Sequence, residues 1–367
     1  MKSTLRAYPP NFTLVICVIF LLGIGLISIY SASGVYALER FGSSTYFLVR
    51  QSIWMIMGLC STVFFSFQNM QRLKKWTYPL LIIVFISLVT IFFVGHTVGG
   101  ANRWLRFGGL GFQPSELAKL SLVLFVAYYC DKKKSKLNNF YKGVLPLLLI
   151  VSLFCGLIFI QPDLGTPLII FATCITMIFI AGGNIKQIVQ LGCILILLAG
   201  LAVWFEPYRR KRLLSFLNPW DDPLGSSYQL VQSLIAIGSG GLMGVGLGNS
   251  HSKLLYLPEP HTDFIFPIIS EELGLLGAWS IIILFIILTW CGFKIASKTK
   301  DFYSSLLASG IVFLILYQVI FNIAMVTGCV PTKGLPLPFV SFGGSSLVIT
   351  LSAVGILLNI SRNVERS

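Results

Sequence analysis

Long apolar runs separated by short polar breaks recur from one end of this chain to the other. Each run approaches the ~20 residues a helix needs to cross the hydrocarbon core of a bilayer. Ten are legible, near 12–31, 46–67, 77–95, 113–130, 143–160, 165–182, 187–205, 264–292, 303–328 and 341–360. The pattern predicts an all-α polytopic membrane protein with about ten transmembrane helices, one integral domain over 1–367 and no soluble appendage. The first run is too long for a cleaved leader and lacks a small-residue cleavage site. Connections are short except for 206–263, between the seventh and eighth runs, and so long a loop in a compact chain is usually functional. Its segment YQLVQSLIAIGSGGLMGVGLG (228–248) is too rich in glycine for a span. It predicts an amphipathic or re-entrant helix at the interface, ended by the glycines.

Composition agrees: 56% of residues are hydrophobic and 11% charged, far too little charge to cover a soluble protein of this length. An even number of spans puts both termini on one side. The segments on that side hold sixteen of the 27 Lys and Arg, opposed only by Asp131, Asp301 and Glu365, and so carry nearly all of the net charge of +14. The positive-inside rule therefore makes the termini cytoplasmic and the 206–263 loop external. A basic face beside anionic lipid accounts for the charge without nucleic acid. The run Arg209, Arg210, Lys211, Arg212 breaks the trend, which long external loops escape. Two readings stand for it: contact with lipid headgroups, or contact with a diphosphate-bearing substrate. The eight cysteines are scattered, without metal-ligand spacing, and read as small apolar packing residues.

Candidate chemistry gathers on the predicted external side. LPEPHTDFIFPIISEELGLLG (257–277) places Glu259, His261, Asp263, Glu271 and Glu272 at the mouth and first turns of the eighth run. Carboxylates at a membrane boundary cost free energy unless paired, hydrated or used, which marks them as a functional site. Asp163 sits in QPDLGTP (161–167), where it either caps the sixth helix or lines a cavity at a helix break. GGANRWLRFGGLGFQPSELAK (99–119) carries Arg103, Arg106, Glu116 and Lys119. Glu116 and Lys119, three apart on a helix, either form a structural ion pair or offer Lys119 to an anionic ligand. VPTKGLPLPFVSFGGSS (330–346) has Lys333 as its only charge. Its two adjacent glycines either bring amides to an anion or permit tight helix packing. No nucleotide-binding, hydrolase or zinc-protease motif occurs, and the three histidines are too far apart for a metal site. Acidic and basic groups beside an apolar wall suit an amphiphile with an anionic head and a long tail.

These segments, FQPSELAK, QPDLGT, RRKRLLSFLNPWDDP, LPEPHTDFIFPIISEELG and PTKGLPLPFVSFGGSS, occur in an order and wording that resemble the SEDS family of FtsW, RodA and SpoVE over nearly the whole chain. The PTKGLPLPF wording is more similar to its division branch. The resemblance implies a peptidoglycan glycosyltransferase that polymerises lipid II into a growing glycan chain at the outer face of the bacterial cytoplasmic membrane. It implies a septal location, a class B penicillin-binding protein as partner, other divisome proteins, and membrane lipids around it. It makes Asp263 the essential acidic residue of the HTDFIF motif, acting as general base, and Lys119 the motif lysine. With the residues above, the substrate-binding candidates become Lys119, Glu116, Arg103, Arg106, Asp163, Glu259, His261, Arg210 and Lys333. Some relatives carry a basic residue where this chain has Gly111, which leaves one phosphate contact to other groups. No cofactor is identifiable, and a divalent cation on the diphosphate is compatible with the chemistry. A flippase for lipid II is the alternative, and a non-catalytic scaffold a third reading. A flippase needs polar groups along the whole transbilayer path, whereas here they cluster at one end.

Overall fold

The computed structural model describes residues 11–98, 101–107, 110–205, 210, 216–225, 227–253, 260–332 and 334–363. Its helices follow the apolar runs: α1 Phe12–Phe41, α2 Tyr46–Ser66, α3 Met70–Val94, α4 Pro114–Lys132, α5 Leu145–Ile160, α6 Gly165–Ile180 and α7 Ile185–Trp204. After these come α8 Tyr228–Ser239, then α9 Ile265–Lys298, α10 Phe302–Val326 and α11 Gly344–Arg362. Helix ends carry local signals. The Asn11 side chain accepts from the Leu14 amide at 3.2 Å to start α1, and Gly42 closes it in the left-handed region at φ 71°. Pro114 opens α4, where its missing N–H costs nothing.

The apolar surface is two-sided. α4, α10 and α11 form the centre, with Leu122, Val126, Ile311 and Leu357 fully buried. α2 and α3 turn Ile56, Phe64, Ile82, Ile83 and Phe93 outward. Such an exposed apolar belt would aggregate in water and is at home in lipid. Among the described residues, seven helices are long and apolar enough to cross a bilayer, and α6 is a shorter apolar helix. This is an all-α polytopic, membrane-integral protein.

Three features depart from the expected outline. α1 runs ten residues past its predicted end, and α3 starts seven before its predicted start, because polar residues at a membrane boundary still favour helix. The glycine-rich segment after α3 folds as a three-stranded antiparallel meander, β1 His96–Val98, β2 Ala101–Phe107 and β3 Leu110–Phe112. And α9 is broken at Gly274, whose φ 67° and ψ −164° lie in a region essentially reserved for glycine.

That break is repaired by the segment expected as an amphipathic or re-entrant helix, which forms helix α8 followed by a glycine turn. α8 packs on α9 and α10, and the glycine turn after it lies along the broken backbone. Val245 and Gly246 donate to the carbonyls of Glu271 and Glu272, both at 3.0 Å; Leu275 and Leu276 donate to those of Gly241 and Leu242, at 2.9 and 3.4 Å. In a membrane every freed backbone group needs such a partner. A Cβ on Gly244 would lie 2.2 Å from the Glu272 carbonyl oxygen, so only glycine permits the approach.

Candidate functional site

All the candidate residues that are described lie at one end of the bundle, the end formed by 42–45, 95–113, 161–164, the α7–α9 connection and 327–343. Asp263 stands two residues before α9 and is partly exposed. Its carboxylate faces Gly334: a Cβ there would sit 2.9 Å from Asp263 Oδ2. A side chain at 334, in the strap between α10 and α11, would have to push the carboxylate aside. Asn322 of α10 fixes both sides of this junction, donating through Nδ2 to the Asp263 carbonyl at 2.9 Å and to the Leu335 carbonyl at 2.7 Å.

One turn away on α10, Gln318 continues the line. Its Nε2 donates to the Pro336 carbonyl at 2.8 Å, and its Oε1 accepts from Lys119 Nζ at 2.9 Å. Lys119 also pairs with Glu116 at 2.8 Å, both side chains all but inaccessible at 3% and 4%. A buried ion pair in α4 is thus linked through Gln318 and the strap to the neighbourhood of Asp263. Beside the strap lies an apolar groove of about 190 Å³ lined by Leu168, Phe321, Met325, Val330, Pro331 and Leu335.

The remaining candidates serve the frame around this line. Asp163 accepts from the Thr166 amide at 3.1 Å and its hydroxyl at 2.7 Å, closing the first turn of α6. Arg103 reaches from β2 to the α5–α6 turn, donating to the carbonyls of Gln161 at 2.9 Å and Pro162 at 2.5 Å. Gly111 lies against the Trp104 ring and its carbonyl accepts from Ser345, so a Cβ there, 3.2 Å from the indole, would press on the ring. His261 is buried against Phe47, ring centroids 4.1 Å apart, with Tyr36 and Phe342 around it. Burial lowers its imidazole to about 4 from the ordinary 6.5, and Nδ1 has no hydrogen-bond partner among the described residues. Arg210 is exposed. Glu259, Lys333 and the other basic residues of 209–212 lie outside the described residues, as does the Arg106 side chain, whose backbone is in β2. Of the two glycines that open α11, Gly344 packs under Trp54, where a Cβ would come within 2.2 Å of the ring. No group of three or more metal-ligating side chains occurs among the described residues.

Sequence reasoning missed Gln318, Asn322 and Lys253. The first two had a signal, since two amides four apart inside a 25-residue apolar helix fall on one face and need partners there. Lys253 had none, because its partner is in α9 and its neighbours are ordinary loop residues.

The chain is similar along its whole length to known proteins. The cell cycle protein family of FtsW, RodA and SpoVE matches residues 12–366. This chain belongs to that family. It is 45% identical to stage V sporulation protein E of Bacillus subtilis, over 98% of this chain and 99% of that one. It is 40% identical to a probable peptidoglycan glycosyltransferase FtsW of Trichlorobacter lovleyi, over 100% of this chain and 96% of that one. Among solved structures it resembles a chain of a peptidoglycan synthase complex that couples polymerization and crosslinking (TM-score 0.81, 29% identity, covering 96% of this chain and 98% of that one). It also resembles the rod shape determining protein RodA of Thermus thermophilus (TM-score 0.71, 27% identity, 98% of each chain).

Proposed function

We propose that this family member is a peptidoglycan glycosyltransferase that polymerises lipid II. It acts at the outer face of the bacterial cytoplasmic membrane with both termini cytoplasmic, and serves septal wall synthesis beside a class B penicillin-binding protein. The observation that carries the reading is the Asp263 carboxylate at the mouth of α9, facing a glycine of the 334–336 strap, with a buried lysine held in line behind it. The apolar groove beside Leu335 suits a short stretch of the prenyl chain of a lipid-linked sugar.

A glycosidase needs a second carboxyl group to protonate its alcohol leaving group. A diphosphate leaves as a stable anion, so one base suffices. Asp263 takes the proton from the 4-hydroxyl of the acceptor sugar as that oxygen attacks the anomeric carbon of the lipid-linked donor. The new glycosidic bond forms with inversion as the bond to diphosphate oxygen breaks, and undecaprenyl diphosphate departs. Basic groups, Lys119 and Arg103 with Arg106, Arg210 and Lys333, stabilise the charge that builds on it. Glu116 holds Lys119 in place, Asp163 and His261 shape the site, and Glu259 lies four residues before the base. A divalent cation on the diphosphate would assist the same step.

The test uses purified protein with its penicillin-binding partner and labelled lipid II. A ladder of glycan products on a gel supports the reading; unreacted lipid II with a demonstrably folded pair contradicts it.

A further inference from the structure

Apart from the line behind Asp263, the described residues hold one other buried ion pair, and it joins three elements. Lys253, at the end of the re-entrant segment, pairs with Glu272 of α9 at 3.0 Å, with side chains 8% and 3% exposed. The same ammonium donates to the Gly248 carbonyl at 2.5 Å and to Ser31 Oγ of α1 at 3.2 Å, and Ser31 donates to Glu272 at 2.5 Å. Next to it, Glu271 accepts from Ser250 Oγ at 2.5 Å and from the His251 amide at 2.9 Å. Two adjacent carboxylates just before the break in α9 thus both hold the stretch 248–253.

An ammonium has three protons, and each of Lys253's already has an acceptor. It has none to spare for a phosphate, so its position serves geometry. Apolar side chains of similar volume would fill such a place at no greater cost in stability, so stability does not account for the pair. Glu272 lies nine residues after Asp263, in the helix that Asp263 leads into, so the pair ties the start of that helix to α1. The near side of Asp263 is pinned independently: the Phe342 amide donates to the His261 carbonyl at 2.9 Å, and the His261 ring is boxed by Phe47 and Phe342.

We propose that Lys253, Glu272 and Ser31 form a latch that positions Asp263, fixing the end of the re-entrant segment to α1 and to the broken α9 so that the carboxylate meets the strap at Gly334. They are positioning residues and touch no substrate. The proposal rests on Asp263 being the general base, so its test has one arm that reads turnover and one that does not.

The double variant Lys253→Met, Glu272→Met removes both charges at once and avoids leaving either buried alone. With the partner protein and lipid II, the latch predicts that turnover falls about 10²-fold, the size of loss an ångström of misplacement brings, while KM stays within about twofold. Hydrogen exchange of the 260–264 amides should quicken, with those of α4 and α11 unchanged and the thermal midpoint in detergent at the parental value. A folded double variant with parental turnover and parental exchange would overturn the latch. Should the double variant not fold, Ser31→Ala makes the same test: turnover a few-fold down and faster exchange at 260–264 support the proposal, and no change in either refutes it. If the parental protein makes no glycan, the enzymatic reading has failed, and the exchange arm alone decides the latch.

Discussion

Replacing Gly274 by alanine leaves the broken helix two ways to respond, and both are costly. If the break persists, the new Cβ lies 2.3 Å from the Gly244 amide nitrogen and 2.5 Å from the Leu242 carbonyl oxygen, both backbone atoms that cannot swing aside. The backbone would also hold alanine in a glycine-only region, at about 1–3 kcal/mol before any clash is counted. If α9 straightens, it recovers its own bonds, with the Leu275 amide turning to the Glu271 carbonyl. The re-entrant turn then loses its partners for the Val245 and Gly246 amides and the Gly241 and Leu242 carbonyls. Losing those four hydrogen bonds at a net ~0.5–1.5 kcal/mol each comes to roughly 2–6 kcal/mol, a large share of the stability of many domains. The turn would leave its place instead, taking Lys253 with it. Gly274→Ala should therefore lower the thermal midpoint in detergent well below the parental value and abolish glycan synthesis. The control is Gly156→Ala in α5, where an added Cβ meets nothing within 4 Å; it should be neutral or slightly stabilising. A Gly274→Ala protein with parental midpoint and parental synthesis would refute the account of the break.

Lys119→Met leaves the Glu116 carboxylate buried without its cation and should cost about 3–5 kcal/mol. Lys119→Met with Glu116→Gln should recover the fold yet polymerise lipid II slowly, and parental polymerisation by that double variant would make the pair purely structural. His261 stays neutral when folded, its imidazole held at about 4 against 6.5 in the unfolded chain. Its contribution is complete above pH 6.5 and is lost as pH falls toward 4, up to about 3 kcal/mol. The midpoint of His261→Phe, scanned over that range, should fall less than the parental one; parallel curves would remove His261 from the account. For topology, Leu224→Cys in a background without Cys60, Cys193 and Cys329 should react with an impermeant thiol reagent in intact cells, and reaction only after permeabilisation would invert the protein.

Much of this architecture was legible in the chain because lipid imposes a simple rule: apolar residues on the inside and on the outside of each spanning helix. That rule locates α1 through α7 and α9 through α11 without any knowledge of their packing. It could not locate the meander at 96–112, whose strands are short, glycine-rich and without clean alternation. Nor could it see the break in α9, since SEELGLLG reads as continuous helix until another backbone competes for its carbonyls. At the site, Asp263, Lys119 and Glu116 stand out because charge is expensive where they lie. The partners that give them geometry, Gln318, Asn322 and Gly334, come from elements hundreds or tens of residues away, and only the fold joins them. Asp163 shows the opposite case, a conspicuous acid whose visible work is to close a helix turn.

The central claim is that the Asp263 carboxylate is the base of a polymerase, and Asp263→Asn tests it most directly. Asparagine has nearly the same size and hydrogen-bonding reach but is a far poorer base. Purified in detergent with the penicillin-binding partner, where no bilayer separates two compartments, the parental protein should build glycan from labelled lipid II. Asp263→Asn should do so ~10²–10⁴-fold more slowly, with the same yield, thermal midpoint and partner binding. Long glycan strands from Asp263→Asn at the parental rate would contradict the catalytic assignment. No glycan from the parental pair, together with transfer of lipid II across liposomes, would contradict the polymerase itself and favour a flippase.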